Sequence, residues 1–157
     1  MSRVFAYLFR FALILLGYAV GSLAASAFLN VVMLAWFGFT PEETRMVATS
    51  SLVFSIPFAA LFVAYFAFIP SVLAIVIGEI TGKRDWLFYA LAGGVVALVI
   101  IGFSRGGDAA AFAEIADLNF ALVVIGGGMC GGIGYWLVAG RTAGSWRPGE
   151  DLTSPAP

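Results

Sequence analysis

At 157 residues the chain has the length of one domain, but 62% of its residues are hydrophobic and 11% charged, against roughly 45 to 50% and 25% in a typical soluble domain. So much apolar surface cannot be hidden inside so short a chain, and a lipid bilayer is the first partner the composition implies. With a formal net charge of −1 and no basic cluster, no nucleic-acid partner is expected; the absence of histidine removes the usual haem ligand, most zinc sites and the commonest general base; and the single cysteine, Cys130, allows no intramolecular disulfide.

Arg3 and Arg10 precede an uncharged run from Phe11 to Phe39. Ala25-Ser26-Ala27 has the look of a signal cleavage site, but the apolar run continues a dozen residues past it. A first transmembrane helix at about 8–38 is therefore expected rather than a removed signal. Its 29 uncharged positions reach about 43 Å at 1.5 Å per residue, against a hydrocarbon core of about 30 Å, so it must tilt or protrude. On this helix Gly17, Gly21 and Ala25 repeat at four-residue spacing and make a smooth strip that another helix can approach. Beside them Tyr18, Ser22, Ser26 and Asn30 repeat in the same way and make a hydrogen-bonding strip.

Thr40-Pro41-Glu42-Glu43 reads as a helix start, with Thr at the cap and Pro in the first turn, so a second helix is expected at about 41–79. It is uncharged from Met46 to Gly78, and Pro57 and Pro70, which each remove an amide, predict a bend near each. Ser51 and Ser55 come to the depth of Asn30, so Ser22, Ser26, Asn30, Ser51 and Ser55 are expected to form a polar intramembrane cluster. Its plain reading is packing glue, and its functional reading a polar path for a small solute. Glu79, one residue past the apolar run, reads as a solvated helix end. The two long helices are expected to outreach the two that follow on the outer side.

Glu79 to Asp85 is a tight charged turn in which Gly82 ends the second helix and Asp85 caps a third at about 86–103. Ser104-Arg105-Gly106-Gly107 breaks that helix, and Asp108 opens a short interfacial helix at about 108–116. A fourth helix at about 118–139 carries the stretch ALVVIGGGMCGGIGYWLVAG. Within it Gly126, Gly128 and Gly131 match the G-x-G-x-x-G spacing of dinucleotide sites, yet only 23 residues follow Gly134, too few and too polar to complete a β-α-β unit. The better reading is two overlapping G-x-x-x-G pairs, Gly127/Gly131 and Gly128/Gly132, which let membrane helices approach closely. Residues 1–140 thus form one transmembrane domain, and 141–157 a polar, disordered tail.

Six of the eight basic residues lie at the amino end (Arg3, Arg10), the second connection (Lys83, Arg84) and the tail (Arg141, Arg147), so both ends of the chain are expected in the cytoplasm. Trp86, Tyr89, Tyr135 and Trp136 then form an aromatic belt on that side, with Trp36 opposite. The ending GYWLVAGRTAGSWRP, about a tenth of the chain, resembles small bacterial inner-membrane proteins, which implies that membrane as its location.

Nothing in the sequence assembles a reaction centre. Ser50, Ser51, Ser55 and Ser71 have no histidine to activate them, and the neighbouring pairs Glu42/Glu43 and Glu150/Asp151 lack nitrogen or sulfur partners for a metal. No catalytic residue, cofactor or metal is expected. The sequence therefore reads as an all-α, polytopic inner-membrane protein without catalytic function. Its expected role is an accessory or scaffold subunit whose glycine faces (Gly127, Gly128, Gly131, Gly132, Gly17, Gly21, Ala25) meet a membrane-protein partner or a second copy. The alternative is a homo-oligomeric channel or facilitator for a small uncharged solute.

Overall fold

The structure is a computed structural model that describes residues 3–36, 42, 52–104 and 118–144. Within them the chain is all-α, with α1 at Arg3–Trp36, α2 at Leu52–Thr81, α3 at Trp86–Ser104 and α4 at Leu118–Val138, closed by one 3-10 turn at Gly140–Thr142. All four helices are long and apolar enough to cross a membrane, which makes this an integral membrane protein by its construction. Among the described residues there is no strand. The interfacial helix expected at 108–116, the start at Thr40-Pro41-Glu43, and Ser51 lie outside the described residues; Glu42 is helical.

Local chemistry accounts for the turn between α2 and α3. Gly82 takes a positive φ of 64°, and the Lys83 N–H donates to the Gly78 carbonyl at 3.1 Å, the six-to-one bond of a Schellman ending. Asp85 then accepts the Leu87 N–H at 3.2 Å and starts α3. Gly144, the second positive-φ glycine (71°), lies so close to Gly82 that a Cβ on it would sit 3.0 Å from the Gly82 Cα.

The interior inverts the soluble pattern. Its buried apolar members are mostly alanines (Ala25, Ala60, Ala67, Ala90, Ala97, Ala139, Ala143) with Tyr89, Tyr135, Val96 and Ile101, while most of the large Phe, Leu, Ile and Val side chains face outward. Lipid tails are as apolar as leucine, so burying large side chains gains little here, and close backbone approach through small residues is what favours the bundle. α4 is the central element, packed along α1 on one side and α3 on the other, and α2 leans mainly on α1.

Three expectations need correction. Tyr89 and Tyr135 do not belong to an interfacial belt; both are buried, their rings 5.3 Å apart. The boundary at Gly140 does not hold either, because Thr142, Ala143 and Gly144 fold back onto the bundle and Ala143 is fully enclosed. Nor, among the described residues, does α1 gain its extra length at its Trp36 end, where the outer overhang was expected. It does run 34 residues against 21 for α4, but Gly17 faces Ala139, Gly21 faces Gly131, and Phe28 faces Gly126. That antiparallel register brings Trp36 level with the start of α4 and leaves Arg3–Phe9 projecting about 10 Å at the opposite end. The uncharged-run count missed this because Arg10 is part of the packed bundle rather than a solvated flank.

Candidate functional site: a glycine seam, a polar strip and a buried ion pair

The glycine run is a seam between α4 and its two neighbours. A Cβ built on Gly128 would lie 2.3 Å from the Gly93 carbonyl oxygen, and one on Gly132 would lie 2.0 Å from the Tyr89 carbonyl oxygen, so on this side α3 backbone touches α4 backbone. On the other side Gly131 meets Gly21 and Ala25, Gly134 meets Gly21 and Ala24, Gly127 meets Leu29, and Gly17 meets Ala139 and Tyr135. The glycine faces are therefore occupied by the chain's own helices. Gly126, Gly128 and Gly131, the residues of the nucleotide-like spacing, all lie within one continuous helix rather than in a strand-to-helix turn. Gly93 on α3 escaped the sequence reading; Ala90, Gly93 and Ala97 at spacings of three and four were the available signal.

The polar strip of α1 is used in the same way, against α2. Ser26 donates to the Ile56 carbonyl at 2.7 Å, Tyr18 donates to the Ala64 carbonyl, and Ser55 donates to the Asn30 side-chain oxygen at 2.7 Å. Asn30 in turn donates to the Ser26 carbonyl at 2.9 Å, and Ser22 to the Tyr18 carbonyl at 2.9 Å. α2 continues through Pro57 and Pro70, whose missing amides free the carbonyls of Val53 and Phe66. Each of these helix-to-helix bonds in a bilayer contributes about 0.6 kcal/mol on average, which suits a strip that holds α2 in register without locking it.

At the other end of the bundle stands a group absent from the sequence reading. Arg10, 7% exposed, forms an ion pair with Glu79, 8% exposed, using two guanidinium nitrogens. It also donates to the Thr142 hydroxyl and, at 3.0 Å, to the Ala139 carbonyl. Glu79 accepts the Gly144 N–H at 3.2 Å as well. α1, α2 and the turn after α4 are thus tied through one guanidinium and one carboxylate. The expectation of a solvated Glu79 is overturned. Around this centre Tyr89 donates to the Lys83 carbonyl at 3.0 Å, Trp136 to the Arg84 carbonyl at 2.7 Å, and Arg84 to the Ala143 carbonyl at 3.1 Å. The Arg141 guanidinium lies 4.6 Å from the Trp136 ring centre.

A buried pair of this kind is sustained only when both charges have further hydrogen bonds, and here they do. The sequence signal was an opposite charge pair at equal depth, each member at the edge of an apolar run. It went unread because charges near helix ends are ordinarily solvated.

Between these features, all four helices leave a cavity of about 90 Å³, with Tyr18, Ser22, Ser71, Tyr89 and Tyr135 among its lining, next to the seam glycines Gly93, Gly128, Gly131 and Gly132. A second and larger groove of about 870 Å³, which shares Ser22 with this cavity, runs along the outside of α1 and α2 over Ala19, Ala60 and Ala64, between Leu23 and the side chains of Phe54, Phe58 and Leu61. No family model, no curated protein and no solved structure matches this chain, so the reading of its function rests on this geometry.

Proposed function

We propose that the chain is a non-catalytic protein of the bacterial inner membrane, with its Arg3 and Gly144 ends on the cytoplasmic side, that serves as an accessory or scaffold subunit for another membrane protein. The glycine faces first expected to make that contact are occupied internally, so the contact moves to the outer face of α1 and α2. The observation that carries the reading is the groove over Ala19, Ala60 and Ala64, whose small floor admits a further helix. Tyr65 beside it supports this. Its side chain is 79% exposed at the middle of α2, 14 residues from Glu79, where a hydroxyl facing lipid lacks the acceptor that a partner helix supplies.

The test is purification from native membranes in mild detergent. A defined second protein should accompany the wild-type chain, and Tyr65→Leu and Leu61→Trp should each release it without lowering thermal stability, since both side chains point away from the bundle. Retention of the partner by both variants, or isolation of the chain with lipid alone, overturns the reading. A second reading, a facilitator for a small uncharged solute, is favoured by the four-helix cavity; it calls for self-assembly and for flux in liposomes.

A further inference from the structure

Trp136, in the last turn of α4, gathers two arginines at the Gly144 end of the bundle. Its indole N–H donates to the Arg84 carbonyl at 2.7 Å, and the Arg141 guanidinium lies over its ring. Arg84 in turn donates its Nε–H to the Ala143 carbonyl at 3.1 Å, which leaves both terminal nitrogens of its guanidinium without a partner among the described residues. Both side chains are thus placed by the fold, and both, like Lys83 beside them, are exposed. No carboxylate answers them. The one ion pair among the described residues is Arg10–Glu79, and Asp85, the acid next to Arg84, is engaged in capping α3 through the Leu87 N–H.

Depth decides which anion this end of the bundle meets. The apolar spans of α3 and α4 begin at Trp86 and end at Val138, so Arg84 and Arg141 lie two and three residues beyond them. At the rise of helix or extended chain that is about 3–7 Å past the hydrocarbon edge, within the band of about 5–8 Å that headgroups occupy on each side. Toward the membrane interior α3 and α4 expose Leu87, Leu91 and Leu137. We propose that Arg84 and Arg141, organised by Trp136, bind the phosphate of an anionic phospholipid whose acyl chains run along these leucines. A guanidinium presents paired donors that match phosphate oxygens, and a zwitterionic lipid brings its own cation and so gains less from the uncompensated arginines. The site depends neither on the proposed contact at α2 nor on which leaflet the Gly144 end faces.

The test titrates the full chain in detergent with phosphatidylglycerol and phosphatidylcholine, which share the phosphodiester and differ in net charge, and counts retained lipid by native mass spectrometry. Wild type should retain phosphatidylglycerol in preference. Arg84→Gln and Arg141→Gln should each lower that preference about fivefold, the equivalent of about 1 kcal/mol per basic residue at a membrane surface, and the double variant should abolish it. Arg105→Gln, the same change of charge elsewhere in the chain, should leave it intact. No hydrogen bond ties the Arg141 side chain to another described residue, so Arg141→Gln keeps the fold and carries the test even where Arg84→Gln unfolds. Equal retention of the two lipids by wild type overturns the proposal, as does a preference that survives Arg141→Gln. An equal loss in Arg105→Gln means diffuse attraction by net charge, and displacement of the lipid by millimolar inorganic phosphate means a site for a soluble anion; either result also overturns it.

Discussion

Gly93 and Gly94 are adjacent in sequence and should respond to alanine with opposite signs. A Cβ on Gly93 would stand 2.0 Å from the Gly128 carbonyl oxygen, 2.8 Å from its carbon and 3.2 Å from the Gly132 nitrogen, all backbone. One on Gly94 would meet only side chains, Met129 Cγ at 3.3 Å and Ile125 Cγ2 at 3.6 Å. Relief at Gly93 requires α3 and α4 to part by about 1 Å, a gap that forfeits a quarter to a half of each dispersion contact along the seam. Overpacking of this kind costs about 1–3 kcal/mol. Both variants gain the same helix propensity, about 0.8–1 kcal/mol, so the difference between them isolates the seam. Gly93→Ala should be less stable than Gly94→Ala by about 1–3 kcal/mol, with Gly94→Ala equal to or above wild type. Reversible unfolding in mixed micelles of increasing dodecyl sulfate fraction, followed by far-ultraviolet circular dichroism, measures both. Equal stability of the two variants would refute the claim that backbone contact holds α3 to α4.

The Arg10–Glu79 pair should behave as a unit: Arg10→Gln or Glu79→Gln alone should cost about 3–5 kcal/mol by stranding the other charge, and Arg10→Met with Glu79→Leu should cost clearly less than the sum in the same unfolding assay. Additive losses would mean that the two charges do not sense each other. Ser55→Ala removes one bond between α1 and α2 and should lower stability by about 0.6 kcal/mol and by no more than about 1.7, so a loss comparable to that of Arg10→Gln would contradict the division between strip and ion pair. For the proposed orientation, reporter fusions at Lys83 and after Arg147 should report cytoplasm and those at Glu43 and Arg105 the outside; an external carboxyl end would overturn it.

The amino-acid sequence by itself determined the class and the number of membrane helices, because hydropathy over windows of about twenty residues is a local property and needs no knowledge of neighbours. The turn at Gly82 and Asp85 was legible for the same reason, since caps are made within a few residues. That Gly17, Gly21 and the run around Gly131 mark close helix approach could be read from spacing, but which helix approaches could not. An external partner and the chain's own α1 and α3 present the same demand for small residues. Only the tertiary structure decided that Gly128 and Gly132 meet α3 while Gly131 meets α1, that Tyr135 turns inward with its hydroxyl unpartnered, and that Arg10 reaches Glu79 across 69 positions. The physical reason is common to all three. Glycine contact, cavity and ion pair are each made by residues far apart in sequence, and the sign of their effect depends on what stands opposite, which hydropathy and spacing along one helix do not encode.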